Sequence, residues 1–266
     1  MTPDAFFSAL WHQYIAVTPQ AARIHAGLEA RKETVLNDHV AFRTFSDSPI
    51  ALANLEPHLL SMGYRPLEPY EFPGKHLLAW GYVPADERLP KVFLSELQVH
   101  QLPEDCQGTV QRLVAQIPED SAATADVFYR GVLWHLPTSA EYERLAEVSE
   151  YASWLSVMGM RANHFTIAVH KLNSFADLAA INQFVKDDVQ LPLNIAGGEI
   201  KGTPEVYLTQ ASTLADRTDI TFSDGITLDV PTCFYEFAQR YPMADGQLYP
   251  GFVAASADRI FESTDR

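Results

Sequence analysis

The sequence is poor in cysteine and free of long hydrophobic runs. Only two of its 266 residues are cysteines, Cys106 and Cys233, and they lie far apart in no metal-binding spacing. Two isolated thiols are typical of proteins in a reducing cytoplasm, where disulfides do not persist. No stretch of about 18 uninterrupted apolar residues is present, so no membrane span is expected.

Positive charge is also scarce. Lysine and arginine number 19 against 34 aspartates and glutamates, which gives a formal net charge of −15. Nucleic acids and anionic membranes are bound through clustered cations, so we predict that neither is a partner. The N-terminus has neither the basic start nor the apolar run of a secretory signal, which favours a cytoplasmic location. An anionic substrate would have to be captured by a few local arginines.

Hydrophobic residues make up 47% of the chain, which is enough to bury a substantial core. No Gly/Ser-rich linker divides the sequence, so we predict a single compact domain over residues 1–266. Apolar residues recur at helical spacing in a helical N-terminus, residues 3–32, and in a helical connection, residues 103–158.

A strand–helix pattern occurs twice in the chain. Residues 38–45 (DHVAFRTF) and 163–170 (NHFTIAVH) each predict a strand, because β-forming residues dominate both segments. Each strand is followed by a predicted helix start, the first at Ser48-Pro49 and the second near Asn173-Ser174. The two serines are 126 residues apart, and the histidines of the two strands are 125 residues apart. We interpret this pattern as an internal duplication.

Further strands complete each half, so the repeated modules cover about residues 36–100 and 160–240. In the second module, Ser223-Asp224-Gly225 has the composition of a hairpin turn. The closing strand then carries Glu236 among aromatic residues. A buried carboxylate is costly unless a cation or a hydrogen-bond donor accompanies it.

Strand periodicity aligns a set of polar side chains. His39 and Arg43 share one face of the first strand, and His164 lies on the polar face of its counterpart. If the modules pack as a symmetric pair, His39 and His164 converge and Glu236 joins them from the closing strand. Two imidazoles and one carboxylate form the facial arrangement of non-haem Fe(II) sites, which leaves positions open for substrate and oxygen. The same ligand set also suits catalytic zinc.

Other roles are open for these residues. A histidine within a strand is often a hydrogen-bonded structural residue, and Glu236 could pair with Arg43 or Arg161 instead of a metal. Glu96, the last carboxylate of KVFLSEL, matches Glu236 in the first module and is a rival third ligand. Arg43 could hold a substrate carboxylate bidentately or form a structural ion pair.

Four segments of the chain resemble the 2-oxoadipate dioxygenase/decarboxylase family, which is related to the vicinal oxygen chelate superfamily. They are DHVAFRTF, RANHFTIAVH, VPTCFYEFAQRYP and LYPGFVAASADRIFEST. The most specific features are the spacing of His39 and Arg43 and the YEFAQR run around Glu236. The resemblance implies an α+β fold of paired βαβββ modules, whose mixed sheet forms a half-barrel around a metal site, with additional helices.

The resemblance also implies roles for individual residues. His39, His164 and Glu236 would be the ligands of Fe(II), and Arg43, together with His39, would bind substrate. No catalytic residue is expected beyond the metal ligands, and Glu96 would be structural.

The activity implied by the resemblance is the conversion of 2-oxoadipate and O₂ to 2-hydroxyglutarate and CO₂, a step in lysine degradation. The expected partners are therefore a small 2-oxo acid and O₂, and a homo-oligomer is allowed. A zinc-dependent hydrolase or lyase on the same ligands, and a non-catalytic small-molecule-binding module, stay open as alternatives. Val253, in the loosely aligned GFVAASA segment, is left outside the predicted site.

Overall fold

The computed structural model describes residues 1–264, so the last two residues of the predicted domain lie outside the described part of the chain. Its ten strands are β1 (Asn37–Phe45), β2 (Tyr64–Phe72), β3 (Leu77–Pro84), β4 (Lys91–Leu97), β5 (Ala162–Ala168), β6 (Lys201–Thr203), β7 (Leu208–Ser212), β8 (Arg217–Thr221), β9 (Thr227–Pro231) and β10 (Phe234–Arg240). Its eight helices are α1 (Pro3–Val17), α2 (Pro19–Ala30), α3 (Leu52–Ser61), α4 (Glu104–Val114), α5 (Ser139–Val148), α6 (Glu150–Met158), α7 (Leu178–Asp187) and α8 (Ala254–Phe261).

Eight of the strands form one curled mixed sheet in the order β2-β3-β4-β1-β5-β10-β7-β6. At its centre β1 and β5 are antiparallel, and each pairs in parallel with the last sheet strand of its own half, β4 or β10. Each half therefore consists of a strand, a helix and three further strands: β1, α3 and β2–β4 in the first half, and β5, α7, β6, β7 and β10 in the second. A pseudo-twofold axis between β1 and β5 relates the two halves. The β8–β9 hairpin is inserted before the last strand of the second half. These paired βαβββ units confirm the predicted fold class.

The first module helix begins later than the sequence pattern predicted. The start at Ser48-Pro49 was wrong, because the Ser48 hydroxyl donates to the carbonyl oxygen of Phe45 and closes a turn. Helix α3 begins at Leu52, whose amide donates to the Glu96 carboxylate at 2.7 Å. A carboxylate near a helix N-terminus satisfies a free N–H group and interacts favourably with the helix dipole.

The second module helix shows the same displacement. The predicted start near Asn173-Ser174 was wrong, because the amides of both residues donate to the carboxylate of Glu33. Helix α7 begins at Leu178, after Asp177 caps its first turn. Since both helices start four residues after the predicted serines, their offset of 126 residues is unchanged.

Helix α1 covers one face of the central strands with aromatic rings. The ring of Phe165 in β5 lies 5.1 Å from that of Tyr14 and 5.2 Å from that of Trp11, measured between centroids. Tyr235 in β10 packs against the same Trp11 ring at 5.9 Å. Full burial of one such side chain stabilises the fold by about 1.5–3 kcal/mol. The opposite face of these strands carries the polar residues of the site.

Both cysteines are buried free thiols. The Cys233 thiol donates to the carbonyl oxygen of Ala162 at 3.4 Å. Burial raises the pKa of Cys233 to about 11, so the thiol stays protonated at neutral pH.

Across residues 1–264, no helix combines the length and the apolar character needed to cross a membrane.

Candidate metal centre

Three neighbouring strands bring His39, His164 and Glu236 to one face of the sheet. His39 in β1 is opposite Thr166 in β5, and Thr166 is opposite Glu236 in β10, so these residues form a row. His164 lies two residues before Thr166 and therefore shares its face. The candidate metal-binding atoms all lie within 4.8 Å of one another, and all three side chains are buried.

Each imidazole is held at Nδ1 by the residue that precedes it. His39 Nδ1 lies 2.8 Å from Asp38 Oδ1, and His164 Nδ1 lies 3.0 Å from Asn163 Oδ1. Carboxylate and amide oxygens accept hydrogen bonds, so each Nδ1 donates and each Nε2 is directed towards Glu236. The Nε2 atom of His39 also lies 3.0 Å from the Thr166 hydroxyl. The Nε2 atoms of His39 and His164 lie 3.4 Å and 3.1 Å from the Glu236 carboxylate. This ring orientation is the one found in metal-binding histidines.

The Glu236 carboxylate is completely buried, and only one of its oxygens accepts a hydrogen bond. Gln210 Nε2 donates to Oε1 at 2.6 Å, whereas Oε2 has no donor within residues 1–264. Neither Arg43 nor Arg161 forms an ion pair with Glu236 in the described chain. The lone pair of neutral His164 Nε2 faces Glu236 Oε2 at 3.1 Å, and these two atoms repel each other unless a cation lies between them. The donor set therefore fits a divalent metal, with nitrogen and oxygen ligands that suit Fe(II) or Zn(II).

The protonation states of His164 and Glu236 also suit metal binding. Burial lowers the pKa of His164 to about 3, so this imidazole is neutral at neutral pH. Burial acts in the same direction on His39, but the carboxylates of Glu236 and Asp38 raise its pKa above the ordinary value. Burial alone would raise the pKa of Glu236, and the two histidines bring it below its ordinary value. Glu236 is therefore an ionised carboxylate, which is its metal-binding form.

A buried ion pair supports His39 from behind. Arg240, in the same strand as Glu236, donates to both oxygens of Asp38 at 2.7 Å and 2.8 Å. Burial would raise the pKa of Asp38, but Arg240 and His39 hold it well below its ordinary value. Arg240 also donates to the carbonyl oxygens of Tyr249 and Gly251. One guanidinium therefore joins β1, β10 and the C-terminal segment.

Aromatic rings surround the two imidazoles. Phe234 stacks on His164 with a centroid distance of 4.6 Å, and Phe252 meets His39 edge-on at 5.0 Å. Phe93 in β4 packs on the other side of Phe252, also at 5.0 Å. These rings keep the surroundings of the imidazoles apolar, which strengthens electrostatic interactions at the site.

Arg43 is buried, and the ends of its guanidinium are paired. Nη1 donates to Glu150 Oε1 at 2.6 Å, and Nη2 donates to Thr264 Oγ1 at 3.1 Å. The guanidinium also lies 4.9 Å from the rings of Tyr151 and Trp154. Arg43 thus forms a structural ion pair with Glu150, which was one of the two roles predicted for it. The role of Arg43 in substrate binding stays a prediction. Its Nε atom has no hydrogen-bond partner within the described chain, so Nε is the donor available to a substrate.

Glu96 is not the first-half counterpart of Glu236, so that expectation was wrong. Glu236 lies two residues after the β10 residue that pairs with His164. In β4, the position two residues after the partner of His39 is occupied by Phe93. The pseudo-twofold arrangement therefore supplies two histidines but one carboxylate. The role of Glu96 is to accept the amide at the start of α3.

Sequence reasoning missed several residues that contact the candidate ligands, among them Asp38, Asn163, Gln210 and Phe252. Asp38 and Asn163 each directly precede a ligand histidine, and this repeated position was a usable signal. Gln210 is brought to Glu236 by the pairing of β7 with β10, and Phe252 lies in an irregular segment. Neither had a local sequence signal. Val253, the next residue, is the N-cap of α8.

Comparison with known proteins agrees with this geometry. The family model described as 2-oxoadipate dioxygenase/decarboxylase matches residues 9–249. The chain belongs to this family. The chloroplastic 2-oxoadipate dioxygenase/decarboxylase of Arabidopsis thaliana is 35% identical over 251 residues, which cover 85% of this chain and 67% of the relative.

Solved structures support the same assignment. The hydroxyglutarate synthase of Oryza sativa, solved in complex with 2-oxoadipate, has a TM-score of 0.88 and 30% identity, and the match covers 98% of this chain and 91% of that one. A provisionally named hydrolase from Shewanella frigidimarina NCIMB 400 has a TM-score of 0.89 and 42% identity, covering 95% and 98% of the two chains. A glyoxalase-superfamily protein, provisionally assigned, from Ralstonia eutropha JMP134 shares the fold at 20% identity and a TM-score of 0.78, over 95% and 86%. The fold is thus that of the vicinal oxygen chelate superfamily.

Proposed function

We propose that this protein is an Fe(II)-dependent dioxygenase/decarboxylase that converts 2-oxoadipate and O₂ into 2-hydroxyglutarate and CO₂, as a step in lysine degradation. The observation that carries the proposal is the buried cluster of His39, His164 and Glu236 in a chain of this family. In this reaction the carboxylate next to the keto group leaves as CO₂. The keto carbon becomes a carboxylate with one oxygen atom of O₂, and the other oxygen atom becomes the new hydroxyl group.

The chain would hold the metal and fix its surroundings. The ligands would be Nε2 of His39, Nε2 of His164 and the carboxylate of Glu236, while Asp38 and Asn163 keep both rings in the binding orientation. When bound, Fe(II) would supply the electrons for O₂ activation and open positions for the 2-oxo acid. Neutral His164 and ionised Glu236 need not exchange protons with solvent before they bind a metal.

Substrate recognition is assigned to Arg43, with His39 beside the reacting end. A dianionic acid must enter a protein of net charge −15, so its distal carboxylate needs a local cation. The Arg43 guanidinium is fixed by Glu150 and by aromatic rings, which reduces the entropy lost when it binds a ligand. The phenyl ring of Phe252 keeps water from the adjacent imidazole.

Oxygen uptake tests the reaction. Protein purified without air and loaded with Fe(II) should consume O₂ with 2-oxoadipate and release one CO₂ per O₂. The His164→Ala variant should lose both the bound iron and the oxygen uptake. A protein that holds only zinc and consumes no O₂ across a panel of 2-oxo acids would contradict the proposal in favour of a hydrolase or lyase. Unchanged ligand binding by a metal-free His164→Ala protein would instead indicate a binding module.

The Arg43→Ala variant tests substrate recognition. Loss of a charged hydrogen-bond donor should raise KM for 2-oxoadipate at least about tenfold, with the iron content unchanged. Arg43→Lys is the matched control, because it keeps the charge but loses the planar fork, and it should recover part of the affinity. Thermal unfolding of both variants monitors the loss of the Glu150 ion pair. An unchanged KM and kcat in Arg43→Ala would remove Arg43 from the site.

A further inference from the structure

A cavity of about 580 Å³ lies beside the N-terminal end of β1. His39, His164 and Glu236 do not line it, and neither does Arg43, but Asp38 and Arg240, which support His39 from behind, do. Its wall takes residues from both halves of the sheet and from the loop before α8. A cavity of this volume is in the range of small-molecule binding sites.

Three cations in the cavity wall lack a partner. Arg65 comes from β2, Lys91 from β4, and Lys171 from the turn after β5. Within residues 1–264, none of them forms a hydrogen bond or an ion pair. Among residues 1–264, Glu87 is the one carboxylate of the wall that forms neither a hydrogen bond nor an ion pair, and its negative charge raises the pKa of Lys91. Lys91 is half-buried, and burial lowers the pKa of its ammonium group, whereas the nearby Asp38 raises it.

The remaining charged groups of the wall are already compensated. Asp38 is paired with Arg240 at 2.7 Å, and Arg88 is paired with Asp86 at 2.6 Å. The unpaired groups therefore leave an excess of positive charge, although the protein carries a net charge of −15. Concave walls of one charge sign concentrate the field and attract counter-ions of small-molecule size.

The wall also has an apolar part, which includes Val83, Leu89, Ala168 and Leu248. The unpaired cations are spread across the cavity, because β2 and β5 lie on opposite sides of β4 in the sheet. An inorganic anion would leave the apolar wall uncovered. A short chain with a carboxylate at each end would contact both kinds of surface.

We propose that this cavity is a second binding site, specific for a small organic dicarboxylate. The carboxylates pair with Arg65, Lys91 and Lys171, and the methylene chain covers the apolar wall. Each of these charge-assisted hydrogen bonds goes to a cation that forms no hydrogen bond or ion pair in the described chain. The inference does not depend on the proposed reaction, because the three cations that would hold the dicarboxylate are not among the candidate metal ligands and do not include Arg43.

Calorimetric titration of the metal-loaded protein with glutarate tests this site. Glutarate has no 2-oxo group, so binding is measured without turnover. The Arg43→Met variant should still bind glutarate through the cavity. Adding Lys91→Met and Arg65→Met to that variant should weaken the binding at least about tenfold. Adding Lys186→Met instead, which removes one positive charge outside the cavity, should leave the affinity unchanged.

Three results would overturn the inference. They are an absence of glutarate binding in folded Arg43→Met protein, an affinity unchanged by the Lys91 and Arg65 substitutions, and inorganic phosphate binding as tightly as glutarate. Arg65 is exposed, so the single Arg65→Met change provides a variant in which folding is not disturbed. Oxygen uptake with 2-oxoadipate is scored separately, so failure at the cavity is distinguishable from failure of the proposed reaction.

Discussion

Asp38 and Asn163 occupy the same position in the two halves of the molecule but differ in chemistry. The Asp38 carboxylate is shared between His39 and Arg240, whereas the Asn163 oxygen accepts from His164 alone. A buried charge that loses its partner costs about 3–5 kcal/mol, which does not apply to a neutral amide. The surroundings of the first histidine therefore contribute to stability as well as to metal binding.

The Asp38→Asn substitution should weaken both properties. Metal affinity should fall roughly 10–100-fold, because the imidazole loses a charged acceptor. The free energy of unfolding should fall by about 3–5 kcal/mol, because Arg240 is left buried without a counter-ion. Metal titration and urea unfolding measure the two effects. Asn163→Ala is the comparison: it should weaken metal binding with a much smaller loss of stability, and equal losses in both variants would contradict this explanation.

At the scale of secondary-structure elements, two distant carboxylates define how the module helices begin. Glu96 accepts the amide at the start of α3, and Glu33 accepts two amides before α7. Burial alone would raise the pKa of Glu33, but hydrogen bonds from Ser174 and Asn173 bring it below the ordinary value. A carboxyl group with a lowered folded-state pKa stabilises the fold at neutral pH.

The Glu33→Gln variant should be less sensitive to acid than the wild-type protein. Because the pKa is lowered on folding, the Glu33 contribution is present above the unfolded value of about 4.3 and is lost as pH falls through the folded pKa. Urea unfolding at pH 7 should show the variant to be less stable, and the difference should shrink below about pH 4. A difference of the same size at both pH values would mean that the charge of Glu33 is unimportant.

Local sequence patterns predicted the two central strands. They did not predict the helix starts, which depend on residues distant in the sequence. β1 and β5 carry enough β-forming residues to be recognised alone. β2 was not predicted, because Pro66 and Pro69 are unusual in strands and are tolerated at the edge of a sheet. The starts of α3 and α7 depend on Glu96 and Glu33, which lie outside any local window.

The same limit applied to the candidate site. The repeat made the convergence of His39 and His164 predictable, because it put them on equivalent strands. The choice between Glu236 and Glu96 required the strand register, which is a property of the folded sheet. Gln210 reaches Glu236 only through that register.

At the scale of the whole molecule, the C-terminal segment closes the metal centre. Phe252 packs on His39, the Phe252 amide donates to the Tyr70 hydroxyl at 2.9 Å, and Thr264 reaches Arg43. Since Arg240 in β10 donates to the carbonyl oxygen of Gly251, the segment after β10 contacts both halves of the sheet. We expect the stability of the fold and access to the site to change together when this contact is removed.

The Phe252→Ala substitution tests that link. Removal of a buried phenyl ring should cost about 3–5 kcal/mol, seen as a lower Tm, and turnover should fall because water reaches the His39 imidazole. Phe252→Leu is the matched control, since it keeps most of the volume and should retain most of the stability and turnover. An alanine variant with wild-type Tm and turnover would show that the segment does not close the site.

The unequal residues at positions 93 and 236 bear on how a duplicated chain becomes a catalyst. Two identical halves would present a carboxylate from each side, so four protein ligands would hold a metal and fewer positions would be left for reactants. With Phe93 in place of one carboxylate, that side of the imidazoles has no ligand of its own. The difference between the two halves thus limits the cluster to three donors, and this broken symmetry would leave coordination space for reactants at a bound metal.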